Sequence, residues 1–244
     1  MPFLDKQSKS RRKKSNQVIL ESIHIGKCIA GRVILTDVNF KLKEGEIIGL
    51  GGATGSGKTT LLHILLGLIK PDNGKVEVLK QDLELNRSQL LRHMNFASSS
   101  LKLSGYATIM ENLSTFGELY QIANHSQKIS ELISLFELTD LVKAKTKIYN
   151  LSAGESSRVN LCKALLNDPP ILLLDEITAH LDPLTVTQLK KILNHRKKQG
   201  HSCIFVSHKV DELNSFCDRV MMLKQGKIKY QTSKLKGNLN KYYR

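Results

Sequence analysis

The chain has 244 residues and a mass of 27.4 kDa, long enough to bury a core without disulfide or metal staples. Charged residues make up 24% and hydrophobic ones 41%, values of a globular domain, and no apolar run approaches the ~18–20 residues needed to cross a bilayer. The net charge of +15 is uneven: residues 1–17 hold six basic side chains against Asp5, residues 224–244 hold seven and no acid, and only +3 is left for the body between. A folded nucleic-acid reader places its charge as a stripe across the domain instead.

The first residues, MPFLDKQSKSRRKK, have no apolar segment or cleavage site behind their charge and do not resemble a secretory signal. In chain order, VILESIHI (18–25) predicts a strand and VILTDVNFKL (33–42) a second. IIGLGG (47–52) is a buried strand feeding a glycine loop, and KTTLLHILLGLI (58–69) has helical spacing, closed by the turn Lys70 to Gly74. KVEVLK (75–80) is strand-like. Between about 100 and 150 the pattern turns helical, as in IMENLSTFGELYQI and SQKISELISLFELTDLV. ILLLDE (171–176) and SCIFVSH (202–208) predict buried strands around an amphipathic helix over 185–200, and RVMMLKQGKIKYQ (219–231) predicts a hairpin at Gln225-Gly226. Strands alternating with helices imply an α/β fold with a mostly parallel sheet. Cys28, Cys162, Cys203 and Cys217 form no CxxC pair and are expected to be reduced thiols packed as small apolar residues.

Gly52-Ala53-Thr54-Gly55-Ser56-Gly57-Lys58-Thr59 matches G-x-x-x-x-G-K-[ST] between a predicted strand and a predicted helix. The glycines let successive N–H groups turn toward phosphate oxygens, and the helix start adds its positive dipole end. Lys58 can reach the β- and γ-phosphates, and the Thr59 hydroxyl can serve Mg2+. Asp175, at the carboxyl end of a buried strand, is placed to hold the metal's water shell, and Glu176 to polarise an attacking water.

Further motifs stand in order around these: Leu151-Ser152-Ala153-Gly154-Glu155, then LLLLDE-like text ending in Asp175 and Glu176, then Leu181-Asp182, then Ser207-His208. The ordered set over residues 18–231 resembles the ATP-binding cassette family, and within it a transporter nucleotide-binding subunit. The resemblance implies an RecA-like P-loop NTPase core, a small antiparallel β-subdomain and an inserted α-helical subdomain at about 97–162. The ATPase domain would span 18–234, with basic tails at 1–17 and 235–244. ATP and Mg2+ are the implied cofactors. Gly52 to Thr60, Thr60 included, would form the Walker A loop, Thr59 and Asp175 the metal ligands, Glu176 the catalytic glutamate and His208 the switch histidine at the γ-phosphate. Ser152, Ala153, Gly154 and Glu155 would be the signature, contacting ATP held by the opposite subunit, with Asp182 at the dimer seam.

Three positions depart from the family pattern. Ala153 stands where a glycine is usual, a slight change if its φ is negative. The glutamine expected at about Ser98 or Ser99 is replaced by the run Ala97-Ser98-Ser99-Ser100. Residues 18–35 hold no Phe, Tyr or Trp to stack on adenine near Cys28 or Ile29.

The resemblance implies a head-to-tail dimer, homodimeric in the simplest case, that hydrolyses ATP and drives a separately encoded membrane permease from the inner, cytoplasmic face of the membrane. The TIMENL-like text at 108–113 points to the exporter branch. An anionic lipid surface could meet the basic ends, while nucleic acid is not an expected partner. The alternatives are a soluble cassette ATPase acting on nucleic acid or ribosomes, and a cassette of very low turnover.

Overall fold

The computed structural model describes residues 16–233. Of the expected basic tails, 235–244 and all of 1–17 but Asn16 and Gln17 lie outside the described residues. The first half runs β1 (Val18–Ile29), β2 (Arg32–Lys43), β3 (Ile47–Gly51), α1 (Lys58–Leu65), β4 (Asn73–Val78), β5 (Gln81–Asp82), α2 (Arg87–Leu90) and β6 (Met94–Ser98). Then come α3 (Ile109–Leu119), α4 (His125–Leu135), α5 (Thr139–Lys143), α6 (Ala153–Leu165) and β7 (Ile171–Asp175). The chain continues through α7 (Pro183–Lys198), β8 (Ser202–Val206), α8 (Val210–Phe216), β9 (Arg219–Lys224) and β10 (Lys227–Thr232).

The strands form an antiparallel sheet in the order β2-β1-β4-β5 and a six-stranded sheet in the order β10-β9-β3-β8-β7-β6. In the second, β3 runs parallel to both β8 and β9, while β9 and β10 form the expected antiparallel hairpin. This is the expected α/β architecture. Two compact units divide the described residues: 16–94 with 170–173 and 196–233, and 95–169 with 174–195.

The first unit holds the antiparallel sheet and β3. All five residues of β3 are buried, as the short apolar run IIGLG requires of a strand covered on both faces. Beside it, β1 and β2 pair with Leu20 opposite Leu42 and Ser22 opposite Phe40. Irregularities in that ladder place His24 and Asp37 in the left-handed region, both at φ 51, and their side chains close on each other, His24 Nδ1 to Asp37 Oδ1 at 2.7 Å. The helix expected over 58–69 stops at Leu65, because the amides of Gly67 and Leu68 fold back onto the carbonyls of Ile64 and His63.

The second unit is built on helices. Ile109 and Leu113 of α3, Ile129 and Leu132 of α4, and Val159 and Leu161 of α6 form its buried centre. Both α3 and α6 open with a capping box. Thr108 Oγ1 accepts from the Glu111 amide while Glu111 accepts from the Thr108 amide, and Ser152 and Glu155 repeat the arrangement.

Candidate functional site

In the first unit the chain leaves β3 at Gly51 and begins α1 at Lys58, so residues 52–57 form the phosphate loop. Gly57 caps α1 at φ 103, and a Cβ there would stand 2.8 Å from the Leu35 side chain and 3.1 Å from the Ile34 carbonyl. Only glycine fits both constraints. Ala53, Thr54 and Gly55 are exposed and Ser56, Gly57 and Lys58 are buried, with Thr59 exposed and Thr60 half-buried behind them. The Lys58 ammonium folds over the start of the loop, donating to the Gly52 carbonyl at 2.8 Å and the Ala53 carbonyl at 3.1 Å. The Ser56 hydroxyl is buried with no hydrogen-bond partner. A loop closed by a buried cation and lined by an orphaned hydroxyl suits an anion rich in acceptor oxygens, which is the chemistry of a nucleotide's phosphates.

His208 belongs to the same unit. β3 and β8 pair in parallel with Leu50 opposite Val206, so the phosphate loop and Ser207-His208 leave neighbouring strands at the same edge. That edge is where ligands sit in open α/β sheets. His208 is exposed, and the residue before it fixes the turn. Ser207 Oγ donates to Glu212 Oε2 at 2.6 Å and accepts from the Lys209 amide at 3.0 Å, tying the strand end to α8, a helix too short to show in the sequence.

The second unit carries the remaining motifs. β7 ends at Asp175, which is 6% exposed, and Glu176 follows at φ 49, a left-handed conformation that a glutamate adopts at a cost. That reversal ends the strand one residue before the expected boundary and turns Glu176 away from the strand direction. The carbonyl of Asp175 accepts from the Ser99 amide at 3.3 Å, so the serine run is held against the acidic strand end. At the signature, Ser152 caps α6 and hydrogen bonds to the Ser152 amide and hydroxyl hold the Glu155 carboxyl below the usual range. Ala153 is not among the residues at positive φ, so its methyl carries no backbone strain. Gly154 is different: a Cβ there would lie 2.7 Å from the His180 carbonyl oxygen. Asp182 spends both carboxylate oxygens at the start of α7, Oδ1 on the amides of Leu184 and Thr185 and Oδ2 on the Thr185 hydroxyl. Two polar side chains that sequence reasoning passed over, Asn160 and Lys163, are buried in α6. The signal for them was present: an amide and an ammonium three residues apart inside an apolar helical run.

A cavity of about 370 Å³ opens beside the first hairpin, lined by His24, Lys27, Cys28, Val33, Asp37 and Asp72 among others. Lys27 pairs with Asp72 across it at 2.6 Å. Its apolar contacts come from aliphatic side chains, with His24 the one ring. Cys28 corrects the expectation for the thiols. It is exposed, because it lies opposite Val33 at the turn end of the β1–β2 hairpin. Cys162 and Cys203 are buried as expected, and burial pushes the Cys203 thiol up to about 12. Among the described residues no cluster of three His, Cys, Asp or Glu could hold a metal. A Mg2+ bound through one carboxylate, one hydroxyl, nucleotide oxygens and waters needs none. No described helix is long and apolar enough to cross a membrane.

The family model described as ABC transporter matches residues 35–179. The methionine import ATP-binding protein MetN of Clostridium acetobutylicum is 32% identical over 86% of this chain and 68% of its own length. The lipopolysaccharide export system ATP-binding protein LptB of Haemophilus influenzae is 31% identical over 86% of this chain and 88% of its own. Among solved structures, the ATP-binding cassette MJ0796, a dimer in a post-hydrolysis state bound to ADP and Pi, is 27% identical with a TM-score of 0.77, covering 90% of this chain and 100% of that one. The chain belongs to the ABC transporter family. Within that family it is a nucleotide-binding, P-loop ATP-binding subunit.

Proposed function

We propose that this chain hydrolyses ATP as one half of a head-to-tail dimer and drives a separately encoded membrane permease in the export direction, from the inner face of the membrane. The observation that carries the ATPase reading is the edge where β3 and β8 end together. Lys58 is buried and the Ser56 hydroxyl orphaned in the loop that follows β3, and His208 stands two residues beyond the end of β8, which supports the reading. Lys58 exchanges the Gly52 and Ala53 carbonyls for the β- and γ-oxygens of ATP, and Ser56 donates to a phosphate oxygen. His208 contacts the γ-phosphate, and Glu176 accepts the proton of the attacking water. Thr59 and Asp175 would hold Mg2+, which when bound neutralises charge developing on the phosphate oxygens. Ser152 and the first amides of α6, at Ala153 and Gly154, offer a helix start to the γ-phosphate of the partner's ATP, with Glu155 holding the cap that shapes it.

The dimer is supported by the dimeric state of MJ0796. Export is supported by the text at 108–113 and by the likeness to LptB, and MetN, at similar identity, is named for import. Glu176→Gln tests the reading, since it removes the base and leaves the phosphate ligands. Size-exclusion chromatography should show an ATP-dependent dimer that does not turn over. A monomer under all conditions with unchanged ATPase activity would overturn the reading. So would wild-type activity in Lys58→Ala.

A further inference from the structure

The serine run that replaces the expected glutamine is held by side chains from the signature helix. Leu101 N–H donates to the Ser98 carbonyl at 3.2 Å, closing residues 98–101 into a turn, and Ser98 Oγ lies 2.9 Å from Ser100 Oγ. Asn160, fully buried on α6, donates its Nδ2 to the Leu101 carbonyl at 3.0 Å and to the Ser98 carbonyl at 3.4 Å. One turn further along the same face, the Lys163 ammonium donates to Asn95 Oδ1 at 3.0 Å and to the Phe96 carbonyl at 2.9 Å, over the Phe116 ring. The same α6 is capped by Ser152, and the far side of the turn is tied to β7 by the Ser99 amide and the Asp175 carbonyl. The oxygen of the same amide, Oδ1, is buried with no partner.

A buried amide that holds two carbonyls with one end and leaves the other unsatisfied is costly unless it has a use. Two features suggest one. The tie joins a turn to a rigid helix of 13 residues, so the turn cannot shift without carrying the helix or breaking buried hydrogen bonds. In addition, the turn contains three hydroxyls, on Ser98, Ser99 and Ser100, and a hydroxyl is the kind of donor that Oδ1 lacks.

We propose that Asn160 is the positioning residue of turn 98–101, supplying from α6 the amide that the end of β6 lacks and coupling the acidic end of β7 to the signature start at Ser152. This rests on the ATPase reading above. Asn160→Ala should lower kcat about tenfold, with KM for ATP within about twofold and a cooperative melt. Two variants should restore turnover: Asn160→Gln, which keeps an amide, and Ser99→Gln in the Asn160→Ala background, which puts one on the turn. A wild-type kcat in folded Asn160→Ala overturns the proposal, as does a loss that neither amide restores.

A second measurement does not depend on turnover. In the non-hydrolysing Glu176→Gln protein, ATP should change hydrogen exchange at amides 99–101 and 155–156 together. With Asn160→Ala added, the change at 155–156 should disappear. If both segments still respond together, Asn160 does not couple them. Failure of the ATPase reading looks different, since wild-type and Lys58→Ala proteins would then hydrolyse ATP alike whatever stands at position 160.

Discussion

Glu176 carries its side chain on a backbone at φ 49, a conformation that costs a non-glycine residue of order 1–3 kcal/mol. Strain at a position proposed to bear the base implies a trade between stability and turnover. Glu176→Gly should abolish ATP hydrolysis yet raise the unfolding free energy by about 1 kcal/mol, since glycine's own entropy offsets part of the relief. Urea denaturation of both proteins checks this, and a destabilised glycine variant would mean the strain is not real. Base recognition is also decided residue by residue. With aliphatic side chains and His24 around the cavity beside Cys28, the ~0.5–1.5 kcal/mol that an aromatic pair adds beyond burial is not supplied by Phe, Tyr or Trp. GTP should therefore be hydrolysed within about tenfold of ATP in kcat/KM. A preference of several hundredfold for ATP would show another residue contacting the base.

At the scale of the element, the start of α6 shows how two adjacent small residues differ. Gly154→Ala places a methyl 2.7 Å from the His180 carbonyl oxygen and should cost about 1–3 kcal/mol by overpacking. Ala153→Gly meets no such contact and should cost no more than the ~1 kcal/mol of helix propensity. Equal effects at the two sites would refute the close approach. The capping box adds a pH dependence. Hydrogen bonds from the Ser152 amide and hydroxyl lower the Glu155 pKa, so the native state favours the charged form. This stabilisation is present above the ordinary glutamate value of about 4.3 and is lost as pH falls through the lowered folded value. The gap in melting temperature between wild type and Glu155→Ala should then be widest near neutrality and narrow below about pH 4. A gap unchanged down to pH 2 would argue against the carboxylate as the cap.

For the whole molecule, the charge distribution matters most. The +5 and +7 of residues 1–17 and 224–244 flank a nearly neutral body, and each basic residue near an anionic membrane surface is worth ~1 kcal/mol. Removal of residues 1–17 and 235–244 should abolish binding to vesicles containing anionic lipid while changing basal ATPase activity little. RNA binding by the intact chain should stay micromolar or weaker at physiological salt. Tight, sequence-dependent RNA binding that disappears on truncation would favour a nucleic-acid role instead.

Local chemistry makes much of this protein legible in its sequence. The buried run ending in glycines, the GKT start of α1, the Ser152–Glu155 spacing and the four apolar residues before Asp175 each state their element within a few residues. Periodicity, turn chemistry and caps all act over short chain distances, so the motifs and the α/β class followed from them. Tertiary structure alone decided which strands became neighbours. Leu50 faces Val206, and only that pairing sets His208 at the edge where the phosphate loop begins. It also buried Asn160 against turn 98–101 with its side-chain oxygen unsatisfied. Those outcomes depend on side chains from segments far apart in the chain meeting in a closed core. There, burial and hydrogen-bond satisfaction are settled by packing rather than by sequence pattern.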